Sequence, residues 1–264
     1  MRLVLALLVA TVGVARADVI GTGMLLPCAG EAQCQVYCER SDSKGCIDLA
    51  ELQLKADRRA AAITTLERAC KLGDQLGCAK LGFRITEHSH APADVARARA
   101  LHEKACAVHE PLACSNLATF LADGEGSAPD PARAVVLYED ACEHGDAFAC
   151  GAVAPYLIDG IGVAKDPARA VALEQKGCNG GSRSACTLLG ASYVTGEGTK
   201  RDYGRALSLF RKSCADGDGG GCMQLGYAYQ HGRGVGKDHA RGLEWLRKGC
   251  TMLGRHDDCY IPQR

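Results

Sequence analysis

The chain has no net charge: 31 basic side chains stand against 31 acidic ones in 264 residues. No global field draws it to nucleic acid or to an acidic lipid surface, and only a local patch could serve such a partner. Beyond Ala17 no stretch is long and apolar enough to cross a membrane. C-x2-C is absent, so the four converging ligands of a structural zinc site have no visible source, and neither metal nor cofactor is expected. No G-K-[ST] follows the Gly-x-Gly segments in the frame of a phosphate loop, and no strand pattern precedes them, so these glycines are expected to be turns.

What the chain does have is cysteine. There are 16, an even number, and their spacing is regular. Cys70/Cys78, Cys106/Cys114, Cys142/Cys150, Cys178/Cys186 and Cys214/Cys222 each enclose seven residues, and the first member advances by 36 each time. A fixed period of this length signals a solenoid, and the even, paired cysteines read as a disulfide framework rather than as metal ligands. Cys38/Cys46 belongs to the same series, Cys250/Cys259 carries one extra residue, and Cys28 with Cys34 is the remaining pair.

The N-terminus agrees with an oxidising destination. Met1-Arg2, an apolar run from Leu3 to Ala15 and the A-x-A of Ala15-Arg16-Ala17 have the form of a secretory signal peptide over 1–17, with the mature chain starting at Asp18. The protein is expected to be secreted or periplasmic, in a bacterial envelope. Residues 18–37 read as a tether and a capping helix, 38–249 as six helical repeats and 250–264 as a C-terminal capping segment.

Each full unit reads as two antiparallel helices. Three residues after the first cysteine stands Gly73, Gly145, Gly181 or Gly217, with His109 as the exception, and Asp74, Asp146, Ser182 or Asp218 follows as an N-cap. The first helix carries its apolar face through Leu81/Ile85, Leu117/Leu121, Val153/Leu157, Leu189/Tyr193 and Leu225/Tyr229. It ends in a glycine loop that closes on Asp130, Asp166, Asp202 or Asp238, with Asp94 in the first unit, each expected to cap a second helix. Small residues before the first cysteines (Ala105, Ala141, Gly177, Ser213, Gly249) leave room for a bridge across the hairpin, with Cα atoms about 5 to 6 Å apart. Pro155 falls inside a first helix and should kink it. The fold class is all-α, an α/α solenoid stapled by disulfides.

The run Leu225-Gly226, Tyr229, Gly232, Gly234-Val235, Asp238 and Arg241 is similar to the Sel1-like repeat, a relative of the tetratricopeptide repeat. With cysteines in nearly every unit, the chain resembles the Helicobacter cysteine-rich proteins; a mitochondrial intermembrane-space assembly factor also looks like this, but the leader is of bacterial style. The resemblance implies protein or peptide binding in a concave groove, and penicillin binding with weak β-lactamase activity in some members. It supplies no catalytic residues to carry over.

Residue chemistry for such hydrolysis is thin. Ser41-Asp-Ser-Lys44 spells S-x-x-K, without the S-D-N and K-T-G that a serine enzyme needs. His88 and His90 have no third ligand close by in their loop, and the remaining histidines (His102, His109, His144, His231, His239, His256) form no constellation in the sequence. With every cysteine partnered, no thiolate nucleophile remains. The binding candidates are the non-core positions of the first helices: Lys80, Phe83 and Arg84, Asn116 and Phe120, Ala152 and Tyr156, Leu188 and Ser192, then Gln224, Tyr227 and Ala228. They suggest an amphipathic groove for a protein segment, a peptide or a peptidoglycan fragment, with β-lactams as the alternative ligand. Phe120 and Tyr156 could equally pack between adjacent units.

Overall fold

The computed structural model describes residues 28–87 and 89–254. The leader, most of the tether, His88, Cys259, His256 and most of the capping segment fall outside them.

Every element among the described residues is helical. α1 (Glu31–Glu39) caps the array. Helix pairs follow as α2 (Ser43–Lys55) with α3 (Arg59–Lys71), α4 (Gln75–Thr86) with α5 (Pro92–Cys106), and α6 (Pro111–Asp123) with α7 (Pro131–Glu143). In the next unit the first helix is broken into α8 (Ala147–Ala152) and α9 (Ala154–Asp159), which pair with α10 (Pro167–Asn179). α11 (Arg183–Thr195) with α12 (Tyr203–Ala215) and α13 (Gly219–His231) with α14 (His239–Met252) complete the stack. The break between α8 and α9 falls at Val153, two residues before Pro155, where a proline ring removes a backbone donor and crowds the preceding turn.

The capping logic is realised nearly throughout. Asp74, Asp146, Ser182 and Asp218 accept from main-chain N–H groups at the start of the following helix. Asp130, Asp166, Asp202 and Asp238 do the same for the second helices. Asp94 is a correction: α5 starts earlier, with Ala91 at the cap and Pro92 in the first turn, because proline lacks the N–H that a helix start leaves unpaired and has its φ preset. Asp94 instead sits inside the first turn and accepts from the Ser89 hydroxyl.

Seven disulfides join the described cysteines in the expected pairs, Cys28–Cys34, Cys38–Cys46, Cys70–Cys78, Cys106–Cys114, Cys142–Cys150, Cys178–Cys186 and Cys214–Cys222. Cys250 is disulfide-bonded, and Cys259, its expected partner, is outside the described residues. The hairpins approach more tightly than expected, with Cα separations of 4.4–4.7 Å across the six bridges of the repeats. The small residues explain it: a Cβ on Gly177 would lie 2.7 Å from the Ala147 carbonyl oxygen and one on Gly221 only 2.0 Å from Ser213 Oγ.

Successive first helices touch one another (α4 with α6, α8 with α11, α11 with α13), and each second helix is wedged between the first helix of its own unit and that of the next. The more closely spaced row lies on the inside of the curve, so the first helices form the inner face.

The glycine loops turn the chain and set the stacking distance. Gly196 ends α11 at φ 78°, and Gly198, at φ 71°, lies against the start of α10 in the preceding unit. A Cβ there would meet the Pro167 carbonyl oxygen at 2.1 Å. Gly198→Ala combines a left-handed penalty with a backbone clash, and should cost about 2 kcal/mol in chemical denaturation. Gly236→Ala, in open space in another such loop, is the matched control and should change little.

Candidate functional site

The inner face does not present all of the residues expected on it. Each first-helix position six residues after the second cysteine of a pair meets the position four residues before the first cysteine of the same pair, eighteen residues earlier on the second helix of the preceding unit. Phe120 packs on His102, with ring centroids 5.7 Å apart, and Tyr156 lies 6.2 Å from Tyr138. Ser192 donates to Glu174 Oε2 at 2.8 Å. Phe120, Ser192 and Ala228 are therefore corrections: they are only 6 %, 4 % and 6 % exposed, because the preceding unit's second helix covers that position. Tyr156 is half-buried at the same contact.

That seam holds two unusual core groups. His102 is fully buried beside Gly82, neither ring nitrogen has a hydrogen-bond partner, and desolvation pushes its pKa down to about 4. It is thus a neutral core side chain. Glu174 is also fully buried; Ser192 satisfies one carboxyl oxygen, the other has no partner, and burial raises the pKa to about 7 despite the Ser192 bond. Sister units place Leu66, Tyr138, Phe210 and Leu246 at this position. A register of the chain on its own 36-residue period would have marked both as polar exceptions in an apolar column.

The rest of the inner face is accessible. Lys80 is ion-paired with Glu51, whose pKa that Lys80 hydrogen bond lowers, and Arg84 bonds Glu87 at 2.8 Å while standing 5.1 Å from the Phe83 ring centroid. Asn116 and Leu188 are half-buried. Phe83 and Tyr227, 43 % and 39 % exposed, occupy the same position of the first and last full units. Between them that position is held by Thr119, Pro155 and Ala191, so two aromatics bracket a floor of small side chains. Gln224 and Tyr227 also border a narrow recess with Val194, Leu207, Phe210 and Arg233. Near the middle, Asp123 adds to the burial that raises the Tyr156 pKa.

The chemistry sought in single motifs does not assemble. Ser41 lies exposed in the turn between α1 and α2 with φ 67°, and no hydrogen bond joins its hydroxyl to Lys44 among the described residues. His90 is exposed and pairs with Glu125 of the next loop at 2.9 Å. No free cysteine occurs among the described residues. One constellation does appear that the sequence reading missed: His109, Asp140 and His144 converge on the outer edge of the hairpin turns.

The Sel1 repeat family model matches residues 76–107, 111–146, 147–182, 183–218 and 220–252, the five pairs from α4/α5 onward. The α2/α3 pair has the same disulfide and hairpin but lies outside those matches; its turn is only Ala56 to Arg58, some four residues shorter than the glycine loops. Among solved structures the chain is similar to c5321, a protective antigen of uropathogenic Escherichia coli displaying an SLR fold, at 24 % identity and TM-score 0.66 over 85 % of this chain. It spans 49 % of that antigen, about half its length. It is also similar to a Sel1 repeat protein from Oxalobacter formigenes, at 23 % identity and TM-score 0.66, covering 84 % of this chain and 88 % of that one. At these identities the likeness concerns the fold. No curated protein matches the chain. With the period, the capped helix pairs and five matched units covering more than half of its length, the chain belongs to the Sel1 repeat family.

Proposed function

We propose that this disulfide-stapled Sel1 scaffold is exported and holds an extended segment of a protein partner along its inner helix face. The observation that carries the reading is the row of small residues, Thr119, Pro155 and Ala191, between the exposed rings of Phe83 and Tyr227. Exposed aromatics on rigid helices bind at low entropic cost, and the small residues between them leave room for a backbone. Four steps of about 10 Å separate the two rings along the stack, a span that about a dozen extended residues would cover. Lys80, Arg84, Asn116, Tyr156, Gln224 and Tyr227 are the contacting side chains in this reading. The seven described disulfides support a working place in an oxidising compartment.

The test is selection of peptides from a displayed library on oxidised protein, followed by affinity measurement with two variants. Phe83→Ala/Tyr227→Ala should weaken the selected peptides at least about tenfold. Val108→Ser/Phe148→Ser, on the exposed apolar edge of the hairpin turns, should leave them unchanged. The opposite pattern would move the binding face to the turn edge. Muropeptides in the same assay test for a cell-wall ligand. A chromogenic cephalosporin tests for turnover, and hydrolysis lost in the inner-face variant would replace the scaffold reading with a hydrolase.

A further inference from the structure

The hairpin-turn edge carries a second feature, built from three departures from the repeat. Two residues before the first cysteine the units carry Arg68, Lys104, Lys176, Lys212 and Lys248, cations suited to the negative end of a helix; only Asp140 is an acid. Three residues after it stand Gly73, Gly145, Gly181 and Gly217 in left-handed conformation; among the five hairpins from Cys70 to Cys222 only His109 keeps a side chain there, at φ 60°, as Ser41 does after Cys38 at φ 67°. His144 is the one histidine among the described residues at the position before that glycine. His109 and His144 are 35 residues apart, so the 36-residue period puts them on adjacent turns.

The three side chains meet. His109 Nδ1–H donates to Asp140 Oδ1 at 2.7 Å. His144 Nδ1–H donates to the Asp140 main-chain oxygen at 2.9 Å, with that nitrogen 3.4 Å from Oδ1. The imidazoles stack with centroids 4.8 Å apart, and one ligand atom from each residue lies within 4.8 Å of the others. Asp140 Oδ2 rests 3.2 Å from Cys114 Sγ, a disulfide sulfur that donates nothing, so the carboxylate is seated against the staple. Both imidazoles are open to solvent.

The geometry points to a binding site for a divalent transition-metal ion of the zinc or copper class, held by His109, His144 and Asp140. Two imidazoles and a carboxylate are borderline ligands that suit these ions better than calcium or magnesium. A zinc ion about 2.0–2.2 Å from each ligand in tetrahedral array sets the ligand atoms about 3.3–3.5 Å apart. Oδ1 already stands 2.7 and 3.4 Å from the two ring nitrogens, so small rotations of exposed side chains suffice. Three protein ligands leave one position open to water or to a partner's side chain. A ring nitrogen ligates only without its proton, so ligation through Nδ1 exchanges its hydrogen bond to Asp140 for the metal and places the ring proton on Nε2.

The test is calorimetric titration of Zn2+ into the oxidised full chain after chelator treatment. The variants restore the residues of the sister units, His109→Gly and Asp140→Lys, and both are expected to fold; His90→Gln is the control for an unrelated surface histidine. The expected result is about one Zn2+ per chain at pH 7.5, loss of at least about a hundredfold in affinity in either restoring variant and no change in His90→Gln. A Cu2+-loaded sample should show nitrogen hyperfine coupling from two imidazoles that drops to one in His109→Gly. Absence of stoichiometric binding in the wild type, or equal binding in His109→Gly and Asp140→Lys, would overturn the assignment and leave the trio a hydrogen-bonded cap on α7.

Discussion

Full reduction of the folded chain is expected to unfold it at room temperature, with loss of most helical circular dichroism. The sequence-local bridges close loops of about nine residues, each worth about 2.5 kcal/mol of chain entropy. Seven such bridges together exceed the whole 5–15 kcal/mol margin typical of a folded domain, an estimate of roughly that order. The apolar core cannot make up the difference, because much of its seam consists of alanine and glycine: Ala98, Ala118, Ala134, Ala154, Ala170 and Ala206 are buried, as are Gly82, Gly190 and Gly226. Small residues let helices approach closely but bury little apolar area each. Single removals should act locally, since each unit of a solenoid contacts only its neighbours. Cys214→Ala/Cys222→Ala is therefore expected to cost about 2–3 kcal/mol and to loosen α12 and α13 in hydrogen exchange while the N-terminal units hold. A reduced chain with unchanged helicity and a cooperative melt would show that packing suffices.

The second large effect concerns pH, and it is hidden in the wild type. Glu174 has a folded pKa of about 7 against an ordinary 4.5, so the protonated form is favoured by folding. Its contribution is fully present below about pH 4.5 and is lost as pH rises through 7. His102 has a folded pKa of about 4 against 6.5, so its contribution is fully present above pH 6.5 and is lost as pH falls through 4. Each swing is worth about 3 kcal/mol, and the two oppose one another across nearly the same window. Glu174→Gln keeps an acceptor for the Ser192 hydroxyl and removes the ionisation, leaving the histidine limb alone; urea midpoints should then fall from pH 7 to pH 4.5. His102→Leu, the residue of two sister units, leaves the glutamate limb, and midpoints should fall from pH 5 to pH 8. The double variant should be nearly level. Parallel profiles for wild type and both single variants would mean that these groups do not titrate with folding.

How much of this was legible in the sequence follows from what a repeat does and does not encode in one copy. The helix pairs, their caps, the Pro155 break and the disulfide pairs rest on contacts within a unit or across one turn, and local spacing specifies those. The inner face was misread at Phe120, Ser192 and Ala228 because their burial comes from the preceding unit, and the wheel of a single helix carries no record of that neighbour. The signal lay in the pairs His102/Phe120, Tyr138/Tyr156, Glu174/Ser192 and Phe210/Ala228, where aromatic meets aromatic, acid meets hydroxyl and a large ring meets a small residue. His109, Asp140 and His144 escaped for a related reason. Scattered along the chain they form no motif, and only superposition on the 36-residue period shows that three exceptions fall on adjacent turns.

The most direct test of the binding account is the affinity of one library-selected peptide for the oxidised protein, measured by fluorescence anisotropy beside Phe83→Ala/Tyr227→Ala. A stoichiometric complex that weakens at least about tenfold in this variant, with thermal stability unchanged, is the predicted result. A peptide that binds the variant as well as the wild type would contradict the inner face as the binding surface.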